Sequence, residues 1–123
     1  MRENMESPED ALREAQAAEV GGDLALAESL LRAASNRWKR EPEFKLRHAR
    51  VLRALGNERK ALKLYRSVLK AHPQRADVAM NAAQTATSLN KLRLAESLWS
   101  RALSVGAQAD IATEGLCRAI WTR

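Results

Sequence analysis

Arg47, Arg50 and Arg53 stand three residues apart, so on a helix they lie on consecutive turns of one face. A guanidinium meets a carboxylate with two parallel hydrogen bonds, and a stripe of such forks suits carboxylate recognition. Like charges at this spacing also repel, a local cost that an anionic ligand relieves. A second basic set, Arg59, Lys60, Lys63, Arg66 and Lys70, follows shortly after. Its spacing reads as a solvated outer face that keeps the chain soluble.

Other chemistry finds little support. His48 and His72 are the only histidines: His48 falls in an interior-facing slot and reads as a packed residue, and His72 precedes Pro73 in a turn. No Cys/His set has metal-ligand spacing, and no Gly-rich loop offers a phosphate cradle. A nucleophile–base–acid constellation can be drawn only by ignoring geometry. The sequence predicts neither an enzyme nor a cofactor.

The elements that position the arginines come from a repeat. Leu24–Leu31 reads LALAESLL and Leu92–Trp99 reads LRLAESLW, a separation of 68 or twice 34, with ERKALKLY at Glu58–Tyr65 between them. A fixed period of this size marks a stack of one small unit. The blocks are 8–41, 42–75 and 76–109, with a partial fourth block at 110–123. One column holds Ala15, Ala49, Ala83 and Cys117, and another holds Gly22, Gly56 and Asn90, residues that take positive φ at helix ends. A third holds Ala27, Ala61 and Ala95, followed four residues on by Leu31, Tyr65 and Trp99. Ala34, Val68 and Ala102 form a further small column. Small side chains let two helix backbones approach, and the bulky column fills the space beside them. Each block therefore reads as a helix of about 12–14 residues, a tight turn and a second antiparallel helix. Pro42 and Pro73 are expected to end second helices. Cys117, in the small column, reads as a buried, inert thiol.

These columns resemble the tetratricopeptide repeat, a 34-residue helix–turn–helix. The middle block carries most of the resemblance, through Ala49, Leu52, Gly56, Ala61, Tyr65 and Pro73. The aromatic usual early in the first helix is replaced by Ala11, Lys45 and Ala79, and Lys39 and Ala107 stand in two proline slots. The resemblance covers about residues 8 to 123 and implies an all-α fold, a right-handed α-solenoid of antiparallel helix pairs. It also implies an inner, concave surface lined by slots of each first helix. Those slots hold Leu12, Arg13, Gln16 and Glu19 in the first block, and Leu46, Arg47, Arg50 and Arg53 in the second. The third contributes Met80, Asn81, Gln84 and Thr87, and the last helix Glu114, Arg118 and Trp121. The clamp with which some members grip the terminal carboxylate of chaperone tails is matched only by Asn81, so that activity is not expected.

Charge is segregated along the chain. Residues 1–36 hold three basic and eight acidic residues, 37–75 thirteen and three, and 76–123 five and four. The leading expectation is a protein-interaction scaffold that receives an acidic partner peptide in a basic concave groove, as bacterial members serve in assembly and secretion machines. Nucleic-acid binding through the basic middle block is the alternative. The acidic first block and the shortage of aromatic stacking surface count against it. Self-association is a further reading, with the first block of one copy on the second of another, or through Leu116, Ile120 and Trp121 on an uncapped last helix. The unfinished fourth block also fits a piece of a longer array or an appendage of an enzyme. Met1–Ser7 reads as a disordered lead, with Ser7 and Pro8 opening the first helix. No apolar run spans a membrane and no signal peptide shows, which points to a cytoplasmic setting. A fragment of a larger periplasmic protein would look the same. The sequence leaves open whether Trp38 packs inward or faces outward.

Overall fold

The computed structural model describes residues 7–106 and 109–122. Its elements are α1 (Pro8–Val20), α2 (Leu24–Arg37), α3 (Pro42–Ala54), α4 (Glu58–Ala71), α5 (Ala76–Ser88), α6 (Leu92–Ser104) and α7 (Ala109–Thr122). They fall into two compact units, Met1–Asn57 and Glu58–Arg123. In the first, α2 packs on both α1 and α3. In the second, α4 and α6 each pack on α5, and α7 packs on α6 and α5.

The turns inside the helix pairs are built alike. Gly22, Gly56 and Asn90 have φ of 83°, 88° and 62°. At the first, the Asp23 amide donates to the Ala18 carbonyl and the Gly22 amide to Glu19; Asn57/Leu52 with Gly56/Arg53, and Lys91/Ala86 with Asn90/Thr87, repeat the pattern. This is the paired bond of a Schellman motif, which satisfies two orphan carbonyls and requires a residue that tolerates the left-handed region. Asn is the side chain that accepts it most readily after Gly. Helix starts are less uniform. The Ser7 and Asp23 side chains accept from the Asp10 and Leu26 amides at 3.2 and 3.1 Å, whereas α3 and α5 have no side-chain cap bond.

Packing follows the small columns. Ala15, Ala49, Ala83, Ala27, Ala61 and Ala95 are fully buried, as are Leu31, Tyr65 and Trp99 beside them. In the second unit α7 crosses so close to Trp99 that a Cβ on Gly115 would lie 2.3 Å from the indole Cε2. The Trp99 Nε1–H points at Thr87 Oγ1 at 3.4 Å, and that hydroxyl donates to the Ala83 carbonyl at 2.9 Å.

Two expectations are corrected. Pro42 opens α3 rather than closing α2, which already stops at Arg37; its missing N–H falls among the first-turn positions that have no intrahelical acceptor. Cys117 is exposed, not buried. Ala15 and Ala83 are covered where α1 packs on α2 and α5 on α6, whereas among the described residues no helix packs over Cys117 in the same way. The missing early aromatic is supplied one position away from Lys45, by the fully buried Phe44. Of the lead, residues 1–6 lie outside the described residues, and Ser7 is the α1 cap. Among the described residues, no helix is long and apolar enough to cross a membrane.

Candidate functional site

The α3 stripe does not stand bare. Arg50 is exposed, and its Nη2 donates to Glu19 Oε1 of α1 at 3.2 Å. The second oxygen of Glu19 is buried and accepts no hydrogen bond among the described residues. For Arg50, then, the chain already provides the carboxylate that the sequence reading left to a ligand. Arg47 and Arg53 flank it, half-buried, and neither forms an ion pair among the described residues. Leu46 is half-buried alongside.

The other first-helix positions divide by unit. On α1, Gln16 is exposed, Arg13 is turned to Asp10 at 3.1 Å, and Leu12 packs partly against the core. On α5, Met80 and Asn81 are half-buried and Gln84 is exposed, while Thr87 is held by its bonds to Ala83 and Trp99. On α7, Arg118 reaches Glu114 at 3.3 Å, an exposed pair one turn apart. Leu116 is half-buried and Ile120 is 42% exposed. The Trp121 side chain lies outside the described residues.

The two histidine and tryptophan questions of the first unit resolve together. His48 is buried and its Nε2 lies 3.0 Å from Glu28 Oε2, which also accepts from Arg32 at 3.3 Å. A buried imidazole needs such a partner, and here it has one. Trp38 packs inward: it stacks on Phe44 with centroids 5.5 Å apart, and the Arg37 guanidinium lies 4.8 Å over its ring.

The second basic set belongs to a feature of the second unit. α4 and α6 leave an open groove of about 870 Å³ between them, lined by leucines, two serines and seven cationic side chains. Arg59, Lys60, Lys63, Arg66 and Lys70 are among them, joined by Lys91 and Arg101, and no acidic residue lines the groove. Spacing along α4 alone indicated an outer face. The contribution of α6 was hidden because its two cations sit at opposite ends of the helix, with Leu94, Ser97 and Leu98 between.

Residues 42–85 match the family model of the tetratricopeptide repeat. No curated protein matches the sequence significantly. Among solved structures, the TPR domain of Sgt2 from Aspergillus fumigatus is similar at 15% identity, with a TM-score of 0.80 over 93% of this chain and 77% of that one. The Yersinia enterocolitica type III secretion chaperone SycD, in complex with a peptide of the translocator YopD, is similar at 17% identity and a TM-score of 0.83 over 92% of each chain. The first TPR of Spaghetti (RPAP3), bound to the HSP90 peptide SRMEEVD, shares 14% identity with a TM-score of 0.81 over 94% of each chain. At these identities the likeness shows the fold. Together with the family model matched over residues 42–85 and the seven helices among the described residues, it shows a tetratricopeptide-repeat fold that fits about three and a half repeats.

Proposed function

We propose that this chain is a non-catalytic protein-interaction module whose α3 stripe receives an acidic segment of a partner protein. The observation that carries the reading is the Glu19–Arg50 pair. It shows a carboxylate seated on the stripe, with Arg47 and Arg53 on the adjoining turns left without acidic partners among the described residues. An incoming carboxylate meets two further guanidinium groups there, each able to form a charge-assisted bond of about 2.8 Å. Gln16 adds an amide and Leu46 an apolar contact in the same unit; Met80, Asn81 and Gln84 are the corresponding positions of α5. Solved relatives of the same fold that hold peptides, SycD and Spaghetti, support a peptide-binding role in general.

The test is binding of a fluorescent acidic peptide, followed by anisotropy at about 50 mM and about 500 mM salt. Binding that weakens at least about tenfold in the Arg47→Ala, Arg53→Ala double variant supports the reading. Unchanged binding in that variant sinks it.

A further inference from the structure

α4 places Arg59, Lys63, Arg66 and Lys70 at i, i+4, i+7 and i+11, one continuous stripe about 16 Å long. All four are exposed, and none forms an ion pair among the described residues. Leu62 and Leu69 lie along the inner edge of the stripe, and Leu94 and Leu98 of α6 face them across the groove. Lys91 and Arg101 close the α6 side at its two ends. The arrangement is therefore an apolar strip with cationic rims on both sides. Leu62, Leu69 and Leu98 belong to the buried core and show only their edges at the groove floor, where the half-buried Leu89 and Leu94 add apolar surface. Acids interleaved with the cations would remove their mutual repulsion, and none lines the groove.

We infer that the α4/α6 groove is a second docking surface, separate from the α3 stripe, and that it takes an acidic amphipathic helix of another protein. The leucines of the ligand, at i, i+3/i+4 and i+7, lie on the leucines of the groove, and its flanking carboxylates meet the two rims. Nucleic acid is the poorer occupant. Its phosphates gain nothing from leucines, and no aromatic side chain lines the groove to stack a base. A second copy of this chain is poorer still. Of the acids in its residues 1–36, Glu19 lies on Arg50, Glu28 on His48 and Arg32, Asp10 on Arg13, and Asp23 caps α2, which leaves fewer to meet the rims.

The experiment uses the full chain and a labelled peptide of about 12 residues with leucines on one helical face and glutamates beside them. Anisotropy at about 50 mM salt is expected to show binding that falls at least about tenfold in the Lys63→Glu, Arg66→Glu double variant. Arg93→Glu, an exposed charge reversal on α6 outside the groove, is expected to change it less than about threefold. Replacing the peptide leucines by serine, at the same charge, is expected to weaken binding at least about fivefold. Circular dichroism verifies that each variant is folded. The inference is overturned if Arg93→Glu matches the double variant, or if the serine peptide binds as well. Tighter binding of a labelled single-stranded oligonucleotide also overturns it. Binding lost in Arg47→Ala, Arg53→Ala but kept in Lys63→Glu, Arg66→Glu assigns the peptide to α3 and defeats the second surface alone.

Discussion

The two units handle charge differently. In Met1–Asn57, beside the local pairs Asp10–Arg13 and Glu28–Arg32, acids on one helix also meet bases on another: Glu19 of α1 with Arg50 of α3, and Glu28 of α2 with His48 of α3. In Glu58–Arg123, Arg75 pairs with Asp77 and Arg118 with Glu114, both close in sequence, and the cations of the α4/α6 groove face no acid among its lining residues. Both units share the same buried alanine columns and the same helix-end turns. The period thus governs packing, while surface charge varies freely from block to block. A region whose charges are matched internally is held together by them. A region whose charges are unmatched carries a repulsion that a ligand can relieve.

The largest expected effects test the apolar side of this contrast. Trp99→Ala removes a buried indole from between α5, α6 and α7 and is expected to cost about 3–5 kcal/mol. Trp38 is half-buried at the end of α2, so Trp38→Ala should cost less, about 1–2 kcal/mol. Urea unfolding followed by circular dichroism measures both. Equal losses would mean that the stacked pair with Phe44 anchors the first unit as firmly as Trp99 anchors the second. Gly115→Ala falls between them at about 1–3 kcal/mol, since its Cβ would lie 2.3 Å from the buried Trp99 ring and the ring or α7 must shift.

Matched charges should be dearer to lose than unmatched ones. Glu28→Ala leaves the buried His48 ring nitrogen without its partner, an expected loss of about 1–3 kcal/mol in the same unfolding assay. Lys63→Ala, on the groove rim, should change stability by less than about 0.5 kcal/mol or raise it slightly. A loss of similar size in both would erase the distinction between the units.

How much of this was legible in the sequence differs by level. The Gly22, Gly56 and Asn90 column was readable because a single backbone requirement, positive φ, restricts the residue type at each turn. The small and bulky columns were readable for a similar reason: close helix approach admits few side chains. Cys117 was misread because burial belongs to the covering helix and not to the column, and among the described residues no helix covers it. Phe44 was overlooked because the expected aromatic slot is filled by Lys45, one position along. Charge partners were the least legible. Glu19 and Arg50 are 31 residues apart, and nothing in their local spacing indicates that they meet. The groove was invisible for the same reason, since its rims come from two helices that are not consecutive in the chain.

A smaller effect bears on the α3 stripe. If an acidic ligand competes with Glu19 for Arg50, then Glu19→Gln frees the guanidinium, and affinity for an acidic peptide should rise about two- to fivefold. Stability should move by less than about 1 kcal/mol, because Arg50 is largely exposed. Calorimetric titration of both proteins with the same peptide decides the matter. Weaker binding by Glu19→Gln would mean that Glu19 orients Arg50 rather than occupying it.

The smallest effect is a pH dependence in the second unit. Asp77 sits in the first turn of α5, and Arg75 approaches its carboxylate with two bonds, Nη2 to Oδ2 at 2.7 Å and Nε to Oδ1 at 3.2 Å. The Arg75 hydrogen bonds hold its pKa below the ordinary aspartate value of 3.8, against the opposing influence of partial burial. A carboxyl whose pKa is lower in the folded state binds its proton more readily when unfolded. Its contribution to stability is therefore complete above about pH 4 and is lost as the pH falls through the depressed folded value. The side chain is 60% exposed, so screening keeps the contribution well under about 1 kcal/mol. Urea midpoints of the parent chain and of Asp77→Asn should differ slightly at neutral pH and converge as the pH falls below the depressed folded value. A difference that survives at low pH would show that position 77 acts through its geometry at the start of the helix and not through its charge.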